Sequence, residues 1–482
     1  MRAQRSSAAC LSACLFASSC GTAAAQSQPT SQPAPATQNA APSSRPVREH
    51  YQSRAWGVRG EPAPPRYVKP LSESGLPGTS DLNWLLLGLE HSTRFEVRDD
   101  DYNRNELTHD EPFIMRSRGY LGVREILDPL RFGLEFMDAR EFNSQFPDDT
   151  NVANENDILQ LFAELYFEDA LGASQPLAVQ FGRMTFDYVD GKTFLARNRW
   201  RNTVNAFDGF RVQFGEPRSD WQVDFFAVQP VERFQRRFDH GDDERWFYGL
   251  IGAWRGWSEI VTLEPYWLVL DEDRKDPDRA DREIHTMGLR AFGLIGDSGF
   301  DYDAHASFQF GDDGDRTQRA FATLAELGYT FEHEWKPRLS VSMAYASGDE
   351  NPNDSVSERY DRLFGLTTSW SPQDYASWQN LISPKVRIEL QPIKPLKFNA
   401  SYGPYWLASD RDAWVPTGRR DPSGEAGNFV GHEIDARVRY ELSSRADIEV
   451  GYAHFMPGNF AEQTGDADDS DLFYVQMTVR FP

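Results

Sequence analysis

The sequence predicts an all-β protein, a transmembrane antiparallel β-barrel of about 18 strands. Three observations predict this fold. Apolar and polar residues alternate along many short segments, the connections between those segments alternate between long and short, and the last segment carries one wholly apolar face. The low mean hydropathy of −0.61 agrees with such a barrel, because only every second residue of its strands faces lipid.

The last strand of the chain shows the alternation most clearly. Its apolar residues are Phe473, Val475, Met477, Val479 and Phe481, and its polar residues are Tyr474, Gln476, Thr478 and Arg480. Strict period-2 alternation marks a strand whose two faces meet different surroundings. We therefore expect the apolar face to contact lipid and the strand to be recognised by the barrel-assembly machinery. The alternative is an edge strand of a soluble β-sandwich.

Alternating segments recur from Leu82 onward, roughly every 20 to 25 residues. The predicted strands span 84–98, 112–126, 130–140, 157–168, 177–186, 206–214, 221–229, 245–254, 259–270, 283–294, 300–310, 319–331, 338–347, 380–391, 395–409, 430–441, 447–456 and 471–481. This gives the even number of strands that single-chain bacterial barrels require. The Leu, Ala and Glu content of 157–168 leaves a helix open as the alternative for that segment.

Long connections rich in Asp and Gly separate pairs of strands. They lie at 99–111, 141–156, 187–205, 230–244, 271–282, 348–379, 410–429 and 457–470, and the connections between them are brief. Outer-membrane barrels have short periplasmic turns and long external loops. We therefore expect both ends of the barrel in the periplasm, and the outer surface in contact with outer-membrane lipid and lipopolysaccharide.

The chain before the barrel divides into two predicted segments. Met1 to Ala25 has the charged start, the short apolar stretch and the small-residue site of a secretory signal peptide. We expect cleavage after Ala25, and Leu11 to Cys14 leaves a lipoprotein signal as the alternative. Residues 26–80 are rich in Pro, Ala, Ser and Gln, which predicts a disordered periplasmic segment. The barrel then takes residues 81–482.

Charge and cysteine usage exclude several other classes of protein. The net charge of −24 argues against a nucleic-acid partner, because phosphate binding requires a basic surface. The cysteines are Cys10, Cys14 and Cys20, so the barrel has neither disulfides nor a cysteine nucleophile. The sequence at Gly191 lacks the earlier glycine of a phosphate loop, and no histidine pair has zinc-site spacing. We therefore expect no enzyme activity, no metal and no cofactor.

Parity places a set of basic residues on the polar, inward face of the strands. These pore-lining candidates are Arg94, Arg98, Arg116, Arg118, Arg124, Arg211, Arg290, Lys385, Arg387, Arg437, Arg439 and Arg480, and the loop at 187–205 adds Lys192, Arg197, Arg199 and Arg201 as constriction candidates. Rings of Arg and Lys select anions, so the pattern predicts a basic constriction. Glu90, Glu96 and Asp224 also point inward, and the alternative is a mixed ladder of structural ion pairs.

Three groups of residues resemble the signature of alginate-export outer-membrane proteins. The first is Gly182-Arg183, Asp187, Trp200-Arg201-Asn202 and Phe207-Asp208-Gly209 with Arg211; the second is Ser347-Gly348-Asp349, Asn351-Pro352, Asp354 and Asp361; the third is Gly431-His432-Glu433-Ile434-Asp435, Gly451-Tyr452, Phe455 and Pro457-Gly458. In order and spacing they cover most of residues 82–482. The resemblance implies an eighteen-stranded channel that passes an anionic polysaccharide through an arginine-lined constriction.

The leading hypothesis is a passive channel in the outer membrane of a Gram-negative-type bacterium, for export or diffusion of an alginate-like anionic polysaccharide or related small anions. A general porin is the alternative within transport. A secreted β-rich protein that binds or cleaves glycans is the alternative from another class, because a fold by itself does not fix a function.

Overall fold

The computed structural model of the chain describes residues 63–104, 108–146, 149–173, 175–188, 200–217, 219–273, 281–365, 367, 370–465 and 467–481. Eighteen of its 22 strands form one barrel wall, and the other four are two-residue bridges. The described residues contain one short α-helix, α1 (Asn459–Thr464), and no helix long and apolar enough to cross a bilayer.

The wall strands follow one another in chain order. They are β1 (Leu85–Asp99), β2 (Phe113–Val123), β3 (Leu130–Phe142), β4 (Asn154–Phe167), β5 (Leu177–Met184), β6 (Phe207–Phe214), β7 (Trp221–Glu232), β8 (Arg245–Ser258), β9 (Val261–Glu272), β10 (Arg282–Leu294), β11 (Phe300–Asp313), β12 (Arg316–Thr330), β13 (Arg338–Ala346), β14 (Leu381–Ile393), β15 (Leu396–Trp406), β16 (Phe429–Ser443), β17 (Ala446–Pro457) and β18 (Ser470–Phe481).

Each wall strand pairs antiparallel with its neighbours in the chain, and β1 pairs with β18 to close the sheet. Across this seam Leu89 lies opposite Phe481 and Asp99 lies opposite Asp471. Closure pairs the edge groups that an open sheet would leave without partners. The predicted fold class, an antiparallel barrel of about 18 strands, is confirmed.

The outer face of the wall carries a belt of exposed apolar side chains. On β18, Phe473, Val475, Met477 and Val479 are each 37–41% exposed, whereas Tyr474 between them is 4% exposed. The same alternation of exposed and buried residues recurs along β3, β12 and β17. A continuous apolar band of this kind requires an apolar surrounding, so the belt is the lipid-facing surface that the sequence predicted.

The segment for which a helix was the alternative is strand β4. It pairs with β3 on one side and β5 on the other, so two ladders satisfy its backbone and override its helix propensity. The register with β3 shifts after Glu135, and Leu159 and Gln160 are both buried in succession. This irregularity interrupts the period of two and explains why the sequence pattern was ambiguous there.

The connections differ in length between the two ends of the barrel. At one end they are short, as at residues 259–260, 394–395 and 444–445, and at the other they include the long loops 185–206, 347–380 and 407–428. The predicted strands 300–310 and 319–331 leave a connection at 311–318. In the structure β11 and β12 continue further, and the connection between them is a tight turn at residues 314–315. The two ends are called the short-turn end and the long-loop end below.

At the short-turn end, the chain before β1 packs against the inner wall. Tyr67 is 4% exposed and its hydroxyl donates to Glu135 at 2.6 Å, while Lys69 and Pro70 pair with β1 at Leu87 and Leu86. Strand β18 ends opposite Leu89, so this pairing extends the seam beyond the last strand. Residues 67–70 therefore differ from the expected disordered segment 26–80. Most of that segment, and the predicted signal peptide, lie outside the described residues.

We expect Tyr67→Phe to lower the free energy of unfolding by about 1–3 kcal/mol, because the fully buried carboxylate of Glu135 loses a donor. Burial raises the pKa of Tyr67 well above its ordinary value, so the hydroxyl remains a donor at neutral pH. Urea titration in detergent micelles measures the change. Tyr440→Phe on the exposed outer face is the control, and equal stability of the two variants would contradict the contact.

Candidate functional site

The loop between β13 and β14, residues 347–380, folds into the barrel and is called the plug. Its Trp378 and Tyr360 are fully buried, and Tyr375 is 1% exposed. The ring of Trp378 lies 5.2 Å from that of Tyr360 and 5.8 Å from that of Trp370. Connecting loops normally run over the surface of a protein, so this aromatic cluster indicates an obstruction built into the lumen.

The plug contacts strands on opposite sides of the wall, including β8, β11, β13, β14 and β18. The contacts are ring packing of Phe364 on Phe247 (5.0 Å), the hydroxyls of Tyr360 and Ser307 (2.5 Å), the indole N–H of Trp378 donating to the carbonyl of Tyr345 (3.1 Å), the ammonium of Lys385 donating to the carbonyl of Trp370 (2.5 Å) and the hydroxyls of Tyr375 and Ser470 (2.6 Å). The plug therefore crosses the lumen from wall to wall.

A second loop, residues 407–428, covers the plug. The indole N–H of Trp414 donates to the carbonyl of Tyr375 at 2.6 Å. Arg359 of the plug donates to both carboxylate oxygens of Asp412, which is fully buried. Burial alone would raise the pKa of Asp412, but the guanidinium of Arg359 and backbone N–H donors outweigh it and hold that pKa below its ordinary value. The charged carboxylate thus joins the two loops.

We expect the contact between the plug and the second loop to weaken in acid. Because the pKa of Asp412 is lowered in the folded state, its stabilisation is fully present above about pH 4 and is lost as the pH falls through the folded value. Ion current through the reconstituted barrel should then rise, since the plug obstructs the lumen. In Asp412→Asn the current should be high already at neutral pH. A wild-type transition centred above about pH 5 would contradict this assignment.

The loop at 185–206 also reaches into the lumen. The guanidinium of Arg94 lies 4.1 Å from the ring centroid of Trp200 and donates to the backbone carbonyl of Trp200 at 2.6 Å. The ring of Tyr474, on β18, lies 4.4 Å from the ring of Trp200. Asn202 is fixed by donation to the carbonyls of Met115 and other residues. Of the four constriction candidates, Arg201 is described here, whereas Lys192, Arg197 and Arg199 lie outside the described residues.

Many of the predicted pore-lining cations form ion pairs with carboxylates. The pairs are Arg94 and Arg98 with Glu96 (2.6 and 2.7 Å), Arg118 with Glu90 (2.7 Å), Arg211 with Asp224 (3.0 Å), Arg290 with Asp303 and Glu264 (2.6 and 3.0 Å), Arg439 with Glu449 (2.9 Å), and Arg480 with Glu90 and Asp447 (3.0 and 2.5 Å). Much of the wall is therefore a mixed ladder of charges, the arrangement that the sequence left open as an alternative.

The remaining candidates have other environments. Arg437 donates to the amide oxygen of Asn399 at 2.9 Å, and Arg116 donates to the carbonyl of Arg201 at 3.1 Å. Lys385 holds the plug, as described above, and Arg387 is half-buried two residues along the same strand. Arg124 lies one residue beyond the end of β2, in the short turn, because the predicted strand at 112–126 was too long.

Three arginines in the loops, Arg201, Arg233 and Arg362, form a group that is called the loop arginine cluster. Of these three, Arg201 was a candidate from the sequence. Arg201 and Arg233 donate to the same side-chain oxygen of Asn151, at 3.1 and 2.8 Å, and Arg362 donates to the carbonyl of Gly365 at 2.6 Å. Burial, and then the charge of Arg201, lower the pKa of both Arg233 and Arg362. Among the described residues neither of these two forms an ion pair within 4 Å, whereas Arg201 lies 3.9 Å from Asp374.

Two members of this loop arginine cluster, Arg201 and Arg362, line a lumen cavity of about 370 Å³ between the wall and the plug. Five arginines and five carboxylates line the cavity in total. The balance is uneven in space, because Arg98 lies between Glu96 and Asp101 at 2.7 and 2.8 Å, whereas Arg362 meets a neutral carbonyl. A small anionic group would find its strongest attraction on the side of Arg201 and Arg362.

The family-motif residues meet one another or the plug. On β5 and β6, Gly182 lies opposite Gly209 and Arg183 lies opposite Asp208, with the Arg183 Nε atom 2.7 Å from the carboxylate. The other motif residues contact the plug or its surroundings: Phe207 packs on Phe364 at 5.3 Å, Gly348 approaches Asn380, Asp349 pairs with Arg316 at 2.5 Å, Glu433 accepts from Ser371, and Asp435 accepts from Ser401. The motif residues therefore lie mainly around the plug and not along an open pore.

In the part of the chain that the structure describes, no group of three or more His, Cys, Asp and Glu side chains is arranged to hold a metal ion. The predicted absence of a metal and a cofactor remains an expectation. The chemistry that the lumen offers is charge recognition by guanidinium groups, beside an aromatic obstruction.

Comparison with known proteins shows the family and the fold. The model of the family described as alginate export matches residues 83–475. Among solved structures, Pseudomonas aeruginosa OpdQ is 14% identical with a TM-score of 0.57, covering 82% of this chain and 98% of that one. Acinetobacter baumannii OccAB1 is 10% identical with a TM-score of 0.57, covering 86% and 99%. Pseudomonas aeruginosa OpdK with vanillate is 11% identical with a TM-score of 0.54, covering 82% and 98%. No curated protein matches the chain.

Proposed function

Because the chain belongs to the alginate export family of outer-membrane proteins, we propose that it is a passive channel for an anionic, alginate-like polysaccharide or for related small anions. The barrel is a porin-like outer-membrane channel of a Gram-negative-type bacterium. A secreted protein, the third alternative from the sequence, is excluded by the lipid-facing belt. The identity of the substrate is the part that we propose.

The observation that carries the proposal is the loop arginine cluster. Arg201, Arg233 and Arg362 lie close together, and burial, followed by the charge of Arg201, lowers the pKa of Arg233 and of Arg362. A carboxylate entering beside them relieves the repulsion between their charges and gains charge-assisted, bidentate hydrogen bonds. The cluster therefore favours anions at the level of the plug.

The acidity of the whole chain does not oppose this selection. At physiological salt, screening weakens interactions between exposed charges beyond about 8 Å, so the acidic external loops have little influence on an ion beside Arg362. The wall ladder is locally neutral, because its arginines alternate with the carboxylates that they bind. The field at the cavity is then set by the nearest groups, which are Arg362, without a carboxylate within 4 Å among the described residues, and Arg201, which lies 3.9 Å from Asp374.

We expect reversal potentials in planar bilayers under a salt gradient to show anion preference for the wild type. The preference should fall in Arg233→Gln and in Arg362→Gln, and fall further in the double variant, because each removes a charge without a carboxylate partner. Arg411→Gln, at an exposed loop residue, is the control. Cation preference in the wild type would refute the anion channel and favour a cation-preferring porin.

A general porin remains the second candidate, and the ion-pair ladder of the wall favours it, since such a wall attracts neither sign strongly. The two functions differ in their response to polymer. A uronate polymer should reduce the chloride current through each open channel, measured at the single-channel level, at concentrations where a neutral dextran of the same size does not. Equal block by both polymers would indicate a general porin.

We further propose that Met1 to Ala25 is the export signal, that residues 26–62 tether the barrel in the periplasm, and that β18 is the strand recognised by the assembly machinery. The support for the last of these is the alternation of β18 and its place at the seam. The long-loop end would then face outward and contact lipopolysaccharide.

A further inference from the structure

A second cavity, of about 230 Å³, lies at the long-loop end between the wall, the plug and the loop 407–428. Four arginines line it: Arg282 on β10, Arg316 on β12, Arg359 in the plug and Arg420 in the loop 407–428. Four separate segments of the chain thus bring arginines to one place, and Asp313, Asp349 and Asp361 line the same cavity. None of these arginines was a candidate from the sequence.

Three ion pairs at this cavity join the plug to its surroundings, and together they are called the clamp. Arg282 binds Asp361 at 3.1 Å, Arg316 binds Asp349 at 2.5 Å, and Arg359 binds Asp412. The first two link the wall to the plug, and the third links the plug to the second loop. The clamp therefore holds both ends of residues 349–361 in the closed position.

The two sides of the clamp differ in their access to solvent. The side chains of Asp349, Asp412 and Asp361 are 4%, 0% and 19% exposed, whereas those of Arg282, Arg316 and Arg359 are 24%, 27% and 34% exposed. The Nε atom of Arg316 is buried and has no hydrogen-bond partner among the described residues. A ligand arriving at the cavity meets the guanidinium groups first, and one of them has a donor to spare.

We propose that this cavity is an anion-binding site that controls the plug: carboxylate or sulfate groups of a polyanion bind the clamp arginines in place of the clamp aspartates and release the plug. The proposal names the regulation of the channel and rests on the proposed function. The guanidinium side of each pair is partly exposed, so an anion of similar chemistry can reach each arginine and compete with the aspartate for it. Removing all three pairs together requires several linked anions.

The number of linked anions sets the expected ligand. A single carboxylate can displace one aspartate, but the other two pairs keep the plug in place. A polymer that binds one arginine presents its next charged groups at a high effective concentration, so it replaces several pairs in succession. The site therefore distinguishes a polyanion from its own monomer by multivalency.

The first test removes the plug side of the clamp. In KCl, Asp349→Asn should raise the open fraction of the reconstituted full-length channel several-fold, because Arg316 loses its carboxylate partner on the plug and keeps only the carbonyl of Val356. Glu350→Gln removes a neighbouring exposed charge and should leave the open fraction unchanged. Equal open fractions in the two variants would overturn the clamp. Heat-modifiable migration checks folding, and Asp361→Asn provides a second, independent removal.

The second test adds the ligand class to the wild type. Polygalacturonate should raise the open fraction several-fold, galacturonate at the same carboxylate concentration should raise it less, and neutral dextran should not raise it. In Arg316→Gln and Arg359→Gln the basal opening should be higher and the response to polygalacturonate smaller. The proposal is overturned if the polymer has no effect, if the monomer acts equally, or if the response survives in the arginine variants.

The two tests also separate this proposal from the function on which it rests. If the wild type prefers cations but Asp349→Asn still opens the plug in KCl, the anion channel fails and the clamp stands. If the wild type prefers anions and none of the clamp variants changes the open fraction, the clamp fails and the channel stands.

Discussion

Replacing residues 362–378 by a flexible Gly-Ser linker should raise the single-channel conductance several-fold. The replaced residues include Trp370, Tyr375 and Trp378, whose buried rings fill the lumen. A wall of eighteen strands encloses enough space for an aqueous channel when nothing fills it. The conductance of the native barrel is therefore limited by the plug, and its removal should leave the wall as the only barrier.

A matched insertion provides the control for this experiment. The same linker inserted after Asn353, an exposed position on the plug, lengthens the loop without removing the aromatic cluster and should change the conductance little. Trp378→Ala should have an intermediate effect, since it removes one ring and its hydrogen bond to the carbonyl of Tyr345. Unchanged conductance after the replacement would mean that another part of the lumen is limiting.

The wall could be predicted from the sequence because its chemistry is periodic. The segment from Phe300 to Phe310 alternates strictly, and in the structure Asp301, Asp303 and His305 are buried inside while Phe308 faces outward. One side of each strand meets lipid and the other meets the lumen, so a period of two is the direct consequence of the fold. This is why strand number, closure and face assignments followed from composition and spacing.

The plug could not be predicted in the same way. Trp370, Tyr375 and Trp378 lie in a loop, where no periodic pattern marks which residues become buried. Basic residues directed attention to the loop at 187–205 instead, and its Trp200 and Arg201 do enter the lumen. The identity of the main obstruction depends on contacts of the plug with β8, β11 and β18, which are far apart in the chain.

To predict the partners of the lumen arginines, one needs the register of the strands as well as the face, inward or outward, on which each residue lies. Arg338 shows this, because parity places it on the inner face of β13 with Ser340 but does not reveal its partners. In the structure it reaches carboxylates on three other strands. Parity reports the face of a side chain, whereas ion pairs depend on which residues lie opposite one another across each ladder.

Arg338→Met should lower the free energy of unfolding by roughly 3–5 kcal/mol, the cost of leaving buried charges without their partner. The guanidinium binds both oxygens of Asp301 (2.7 and 3.0 Å), Glu326 (2.7 Å) and Glu389 (2.8 Å), and Arg338 is 3% exposed. Gly328 leaves the space that the guanidinium occupies, since a Cβ atom there would lie 2.2 Å from it. The site is thus built around this one side chain.

Two further variants test whether the carboxylates cause the loss. Arg411→Met, at an exposed loop position, should be neutral, which shows that removing an arginine is not harmful in itself. Arg338→Lys should recover only part of the stability, because an ammonium is a single point charge and cannot bind several carboxylates in the geometry of a planar fork. Urea titration in detergent micelles measures all three. If Arg338→Met were as stable as Arg411→Met, the three carboxylates would have to be satisfied without the guanidinium. The ion pairs of Arg338 would then contribute nothing to the free energy of unfolding.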